Sequence, residues 1–396
     1  MRSLSALAAT VLTLAAALCL HRGSPPSAES IPVPPDPLPS AFGAIYPRLS
    51  PDGESIALTY QGAIWRLPSS GGTMTRLTSK PGFDIEPVWS PDGKQIAFAR
   101  SPQWAGGLVV LIDAESGKEI PLPGRVINRG STVFYKMEFH PDGKRLLGVF
   151  QVDSKDTGLS WYNTESGEAT SLLPPVRWMR YALSRKGDRV VYTQTRDKAG
   201  EQGGNNGPFV TLFSKPTDGG EATEMGVFPA RIHDLCWQAD DQALIVATDL
   251  GGAFYDLWHV PLKDGRIDMK TARQLTFGQA DEHRPSVSAD GRALLLTDNS
   301  SGSTTLKLRN LIDGNEKSVR ATKFDFRAPT GTLRLSTVDG GSGKALTARI
   351  SLERDGGKYH APPESLFRVL KDYGHFYCKE NCEFSPPAGR DQIRAR

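Results

Sequence analysis

The sequence predicts an all-β chain, a six-bladed β-propeller followed by a small C-terminal β module. Three observations predict it. A short hairpin signature recurs along the chain, its copies are spaced as four-stranded blades would be, and helical periodicity is nearly absent between Ala41 and Phe326.

The signature is clearest in the runs Pro47-Arg48-Leu49-Ser50-Pro51-Asp52-Gly53 and Pro87-Val88-Trp89-Ser90-Pro91-Asp92-Gly93. Each precedes a short apolar strand, Ile56-Ala57-Leu58 and Ile96-Ala97-Phe98. Further copies read Phe139-His140-Pro141-Asp142-Gly143 and Val287-Ser288-Ala289-Asp290-Gly291. Between them stand two decayed copies, Leu183-Ser184-Arg185-Lys186-Gly187-Asp188 and Trp237-Gln238-Ala239-Asp240-Asp241. The turn chemistry is that of a tight hairpin: proline presets the first corner, aspartate bonds the local backbone, and glycine accepts a positive φ. The anchor residues Ser50, Ser90, His140, Ser184, Gln238 and Ser288 step by roughly 40 to 55 residues, one blade each. The second unit shows the remaining strands, Leu108 to Ile112 and Glu119 to Leu122, around the turn Glu115-Ser116-Gly117-Lys118.

The pattern Asp84-x-x-Pro87-x-Trp89-Ser90-Pro91-Asp92-Gly93-Lys94-x-Ile96-Ala97-Phe98 resembles the repeat of TolB-like propellers, which also occurs in the propellers of some exported peptidases and hydrolases. The resemblance covers residues 42–326 and is strong in the first, second, third and sixth units. It implies a fold and says little about function.

The residue before each anchor is apolar (Leu49, Trp89, Phe139, Leu183, Trp237, Val287), as expected of a position buried between blades. Four positions before the anchors stand Tyr46, Glu86, Lys136, Arg180, Asp234 and Arg284, five of them charged, with Asp84 and Glu282 two residues further back. Alternation along the innermost strands places this set around one mouth of the central channel. Two readings are open. The ring of Glu86, Lys136, Arg180, Asp234 and Arg284 binds a ligand such as a peptide end, or its charges pair with each other and close the channel.

The N-terminus reads as an export signal over residues 1–30: Arg2, an apolar run from Leu4 to Leu20, and the start of a Ser/Pro-rich stretch that continues as a linker over 31–41. An uncleaved anchor would hold the chain on a membrane, and Cys19 raises a lipoprotein reading that Leu18 disfavours. The expected location is periplasmic or extracellular. There, Cys378 and Cys382 are expected to pair as a local disulfide, and Cys236 to be an inert core thiol. Lys+Arg 47 against Asp+Glu 44 argues against nucleic acid as a partner and leaves a protein or peptide. The polar Gly-rich run Lys198–Gly207 reads as a loop, disordered or partner-binding.

Beyond Arg327 the character changes. Strands are expected at Gly331–Asp339 and Ala348–Leu352, with turns at Arg354–Gly357 and Pro386–Arg390. Residues 327–396 resemble the small β-sandwich of carboxypeptidase regulatory-like type, which in some exported metal-dependent hydrolases lies between a TolB-like propeller and a catalytic domain. That resemblance implies an alternative role as the accessory N-terminal region of such a hydrolase, of amidohydrolase or PHP-like kind.

Catalytic residues, metal ligands and cofactors are not expected. There is no His-x-His pair, no His-Glu-x-x-His, no Gly-x-Ser-x-Gly elbow and no phosphate-binding loop. His233 and His283 fall at equivalent repeat positions, which suggests repeat ancestry before a site, and a metal shared by His360 and His375 in the tail is the disfavoured alternative there. The preferred reading is a non-catalytic, exported binding scaffold.

Overall fold

A computed structural model describes residues 45–396 apart from 103–105, 130–135, 153–154, 175–178, 197–208, 302–303, 364, 366 and 371–372. The export signal, the linker and the Lys198–Gly207 loop lie outside the described residues. Among those described, every regular element is a β-strand.

The hairpin signature folds as its chemistry dictates. Ser50 Oγ donates to Asp52 Oδ1 (2.5 Å) and accepts from the Ser55 amide, while Asp52 Oδ1 also accepts from the Glu54 amide. Gly53 closes the turn at φ 74°, a left-handed conformation that glycine adopts without steric cost. Ser90–Asp92 and Ser288–Asp290 repeat these bonds. The decayed copies keep the turn by other means. In the fourth unit Asp188 replaces the missing aspartate as the acceptor from Ser184 Oγ (2.7 Å). In the fifth, Asp241 takes the glycine's left-handed place at φ 56°, and its carboxylate accepts the Arg185 and Lys186 amides of the fourth unit.

Each signature joins an inner strand to the next strand outwards. The inner strands are Ile45–Leu49, Phe83–Trp89, Glu138–Phe139, Tyr181–Leu183, Ile232–Trp237 and Glu282–Val287, each paired antiparallel with its successor. Apolar clusters are shared by neighbouring units all the way round. One packs Ala57 and Ile64 of the first unit on Trp89 and Phe98 of the second, and another packs Leu295 and Leu308 of the sixth on Leu49 and Ile56 of the first. The residue before each anchor is buried, as the repeat predicts. Trp89 Nε1 donates to the Arg48 carbonyl and Trp237 Nε1 to the Ala182 carbonyl (3.0 Å each), so the indoles also tie a unit to the one before it.

Two features hold the ring beyond the repeat. After the sixth unit, Ala321–Asp325 adds as a parallel strand outside Gly72–Arg76 of the first. Val126–Asn128 pairs with Gly107–Asp113 on one side and Arg145–Val152 on the other, fusing units two and three into one sheet. The fourth strand of unit two shrinks to Glu119–Ile120, shorter than the Glu119–Leu122 expected.

The tail forms strands Leu333–Ser336, Thr347–Arg354, Tyr359–His360, Arg368–Leu370, Tyr373–Lys379, Asn381–Phe384 and Asp391–Ala395. It belongs to one compact unit with the propeller. Lys358 Nζ is buried against Asp84 (2.9 Å) and the Gly82 carbonyl (2.6 Å), and Tyr359 stacks on Phe83 at 5.7 Å. The Tyr60 hydroxyl donates to the Pro363 carbonyl. His360 pairs with Leu352, and the register sets His375 opposite Ser351, so the two imidazoles lie on opposite faces of the sheet. They cannot share a metal ion, which removes that alternative. Cys378 is buried with the half-buried Cys382 beside it, and burial together with Cys378 pushes the Cys382 thiol up to about 12.

A candidate binding channel

The inner strands bring the charged ring together at the axis. Alternation alone does not do this. In the first, second and sixth units the register slips at the ring position, in the fifth one residue before it, and Tyr46, Glu86 and Arg284 adopt φ of 55°, 54° and 57°. Each of these three precedes a proline, Pro47, Pro87 or Pro285. Proline cannot donate to the ladder, so a bulge forms there and re-aims the side chain. Left-handed backbone at non-glycine residues stores on the order of 1–3 kcal/mol each, and such strain clusters at functional sites.

Glu86, Lys136, Asp234 and Arg284 are all buried, and Arg180 is half-buried. Arg284 of unit six reaches Glu86 of unit two (2.9 Å) and Asp234 of unit five (3.7 Å). Lys136 of unit three meets Asp234 (3.7 Å) and Glu138 (3.1 Å) and donates to the Leu235 carbonyl (2.7 Å). Arg284 also lies 4.5 Å over the Tyr46 ring. The floor of the channel is therefore an ion-paired network across the axis. Burial alone would raise the Asp234 carboxyl, but Lys136 and Arg284 hold it far below the usual range. Arg180 takes a different place: its Nε donates to the His233 carbonyl (2.7 Å), and burial pushes its guanidinium down to about 9. His233 and His283 stand 4.1 Å apart with Tyr255 beside them, and burial and the neighbouring His283 push His233 down to about 3. Burial likewise lowers His283 from its usual value.

On the hairpin side of this floor the channel opens into a funnel of about 360 Å³. Its walls are the residues one and two before the anchors, and its rim is the residue one after. Arg48 and Glu138 face it from two before. Arg48 approaches Glu86 at 3.7 Å, and Glu138 Oε2 accepts the Leu183 amide (3.1 Å). Cys236 is half-buried and lines the funnel. It also packs against the apolar cluster shared by units five and six, and desolvation pushes its thiol up to about 11 and leaves it a poor nucleophile at neutral pH. The rim is Pro51, Pro91, Pro141, Arg185, Ala239 and Ala289.

The ring positions follow from counting back along the repeat. Arg48, Glu138 and Arg185 do not, because they stand where other units carry neutral residues. The signal that could have found them is the departure from the repeat itself. Among the described residues no cluster of three or more His, Cys, Asp or Glu is placed to hold a metal ion.

No family model and no curated protein matches the chain. Solved structures do. The tricorn protease superposes with a TM-score of 0.51 at 17% identity over 76% of this chain. TolB from Acinetobacter baumannii gives 0.49 at 14% over 73%, and the β-propeller domain of the Trilobed protease from Pyrococcus furiosus 0.42 at 15% over 73%. The chain spans 28% of the tricorn protease chain, 66% of the TolB chain and all of the Trilobed domain. The first likeness shows the fold, a β-propeller, and at this identity shows nothing of activity.

Proposed function

We propose that the chain is an exported, non-catalytic binding scaffold that receives a protein or peptide segment in the hairpin-side funnel. The observation that carries this reading is the funnel itself: one cavity of about 360 Å³ built from all six units, floored by a network whose charges are already matched. That size lies within the roughly 300–1,000 Å³ of ordinary ligand pockets. Trp89, Phe139 and Trp237 give it rigid walls, and the prolines give it a rim with little entropy to lose on binding.

The N-terminal segment and the likeness to a TolB-type repeat support export. The tail is read as a carboxypeptidase regulatory-like module mounted on the second unit through Lys358 and Tyr359 and on the first through the Tyr60–Pro363 bond.

Selection of displayed peptides on the purified chain tests the funnel. Ala289→Trp places a large ring at the exposed rim without touching a buried group, and it should abolish enrichment. Equal enrichment on both proteins would move the binding surface elsewhere. Mass mapping without reductant tests export separately. Cys378 and Cys382 should be linked in protein taken from the exported fraction, and two alkylatable thiols there would count against an oxidising destination.

A further inference from the structure

The fourth hairpin breaks the repeat in two consecutive residues. Directly after the anchor, five units carry Pro51, Pro91, Pro141, Ala239 and Ala289, and the fourth carries Arg185. At the next position every other unit has aspartate and the fourth has Lys186. A decayed copy would be expected to lose these residues to small or polar ones. Here an acid has become a base, beside a second base, at the rim of the cavity.

The side chain of Arg185 is held for use. Its Nη2 donates to the Val287 carbonyl of unit six, so the guanidinium extends from unit four over the funnel mouth. Among the described residues that is its only side-chain hydrogen bond, and no carboxylate lies within ion-pair distance of it or of Lys186. The other funnel cations are spent: Arg48 lies against Glu86, Lys136 against Glu138 and Asp234, and Arg284 against Glu86 and Asp234. Arg185 is thus the cation at the funnel with no described counter-charge, and the N–H groups that Val287 does not use remain available to a carboxylate. The backbone supports the position. Asp241 accepts both the Arg185 and Lys186 amides, fixing the hairpin that aims the guanidinium.

We propose that Arg185, with Lys186 beside it, anchors a carboxylate of the peptide that enters the funnel. This rests on the funnel reading above and names the chemistry it selects. The apolar rim and the Trp89 and Trp237 walls take the flanking peptide, while the matched floor offers no second site for a negative charge. The carboxylate is either the peptide's own C-terminus or an acidic side chain.

The test is titration calorimetry of the full chain with three synthetic peptides: Ala-Pro-Ala-Ala as the free acid, the same sequence C-amidated, and Ala-Pro-Asp-Ala amidated. Arg185→Ala, Lys186→Ala and Ala289→Trp are titrated alongside, with thermal unfolding as the fold control. A carboxylate anchor predicts that one of the two acids binds at least tenfold tighter than the neutral amide. Arg185→Ala should erase that preference, Lys186→Ala should reduce it severalfold, and both should unfold as the wild type does. Whichever acid is preferred identifies the source. Equal binding of acid and amide, or a preference that survives Arg185→Ala, overturns the proposal. If binding is blocked by Ala289→Trp but indifferent to charge, the funnel reading stands and this one falls. Binding of no peptide overturns both.

Discussion

Arg284 and Arg185 belong to the same channel and live under opposite rules. Arg284, 7% exposed on the floor, is 2.9 Å from Glu86, and Asp234 and the Tyr46 ring complete its surroundings. Arg185, exposed at the rim, has one carbonyl partner and no described carboxylate. A buried charge must be matched because desolvation costs several kcal/mol per ion, whereas an exposed charge keeps its water and can wait for a partner. Charged residues lining a propeller axis are therefore not one functional class. Depth decides which of them hold the fold together and which are available to a ligand.

The largest effects should come from the floor and the walls. Glu86→Ala leaves Arg284 buried without its closest partner and should cost about 3–5 kcal/mol. Trp237→Ala removes a fully buried indole and its bond to the Ala182 carbonyl, for about 3–5 kcal/mol. Urea unfolding at an unchanged m-value measures both. A loss below about 1 kcal/mol in Glu86→Ala would mean that the floor relaxes or hydrates, and the contrast with the rim would fail.

Glu282 lies between these extremes and gives a pH test. It is buried, its nearest cation is Lys307 at 3.9 Å, and burial raises its carboxyl from 4.5 to about 7. A raised folded pKa means that the folded chain holds the proton more tightly than the unfolded one. This group's contribution therefore costs nothing below about pH 4, falls as pH rises from 4.5 to 7, and remains unfavourable above 7. Glu282→Gln should match the wild type near pH 4 and be more stable at pH 8, by up to about 3 kcal/mol. Thermal unfolding across that range checks it. A variant less stable at pH 8 would show that Lys307 compensates the charge after all, making Glu282 a matched floor residue like Glu86.

The fold was legible because the information that specifies it is local. Ser50, Asp52 and Gly53 need only each other to make the turn, so the signature survives wherever the turn does. The strand Val126–Asn128 was not legible, because it pairs with partners on two different units and no short-range pattern encodes that. The ring illustrates both cases. Glu86 and Arg284 were found by counting back from the anchors, but alternation could not give their direction, since bulges break it. The clue was Pro47, Pro87 and Pro285 inside strands that must pair, a residue type that belongs at an edge or a bulge. Arg185 was read as decay in a weak copy. Only its position at a cavity, with its counter-charges accounted for, turns the same substitution into a candidate contact.

The smallest expected effect is the sharpest test of the comparison. Arg185→Ala with Lys186→Ala keeps both amides that Asp241 accepts, since alanine retains its N–H, and it removes two exposed side chains that form no described ion pair. Surface changes away from caps, cavities and buried charges usually lie within about ±0.5 kcal/mol, so the double variant should unfold within that margin of the wild type. The Val287 carbonyl it releases belongs to a residue that lines the funnel, where water can replace the guanidinium. A loss of more than about 1 kcal/mol would mean that the Arg185–Val287 bond braces unit four against unit six across the mouth. Arg185 would then be a structural strut and not a charge held for a partner, and depth would no longer separate the two kinds of charged residue in this channel.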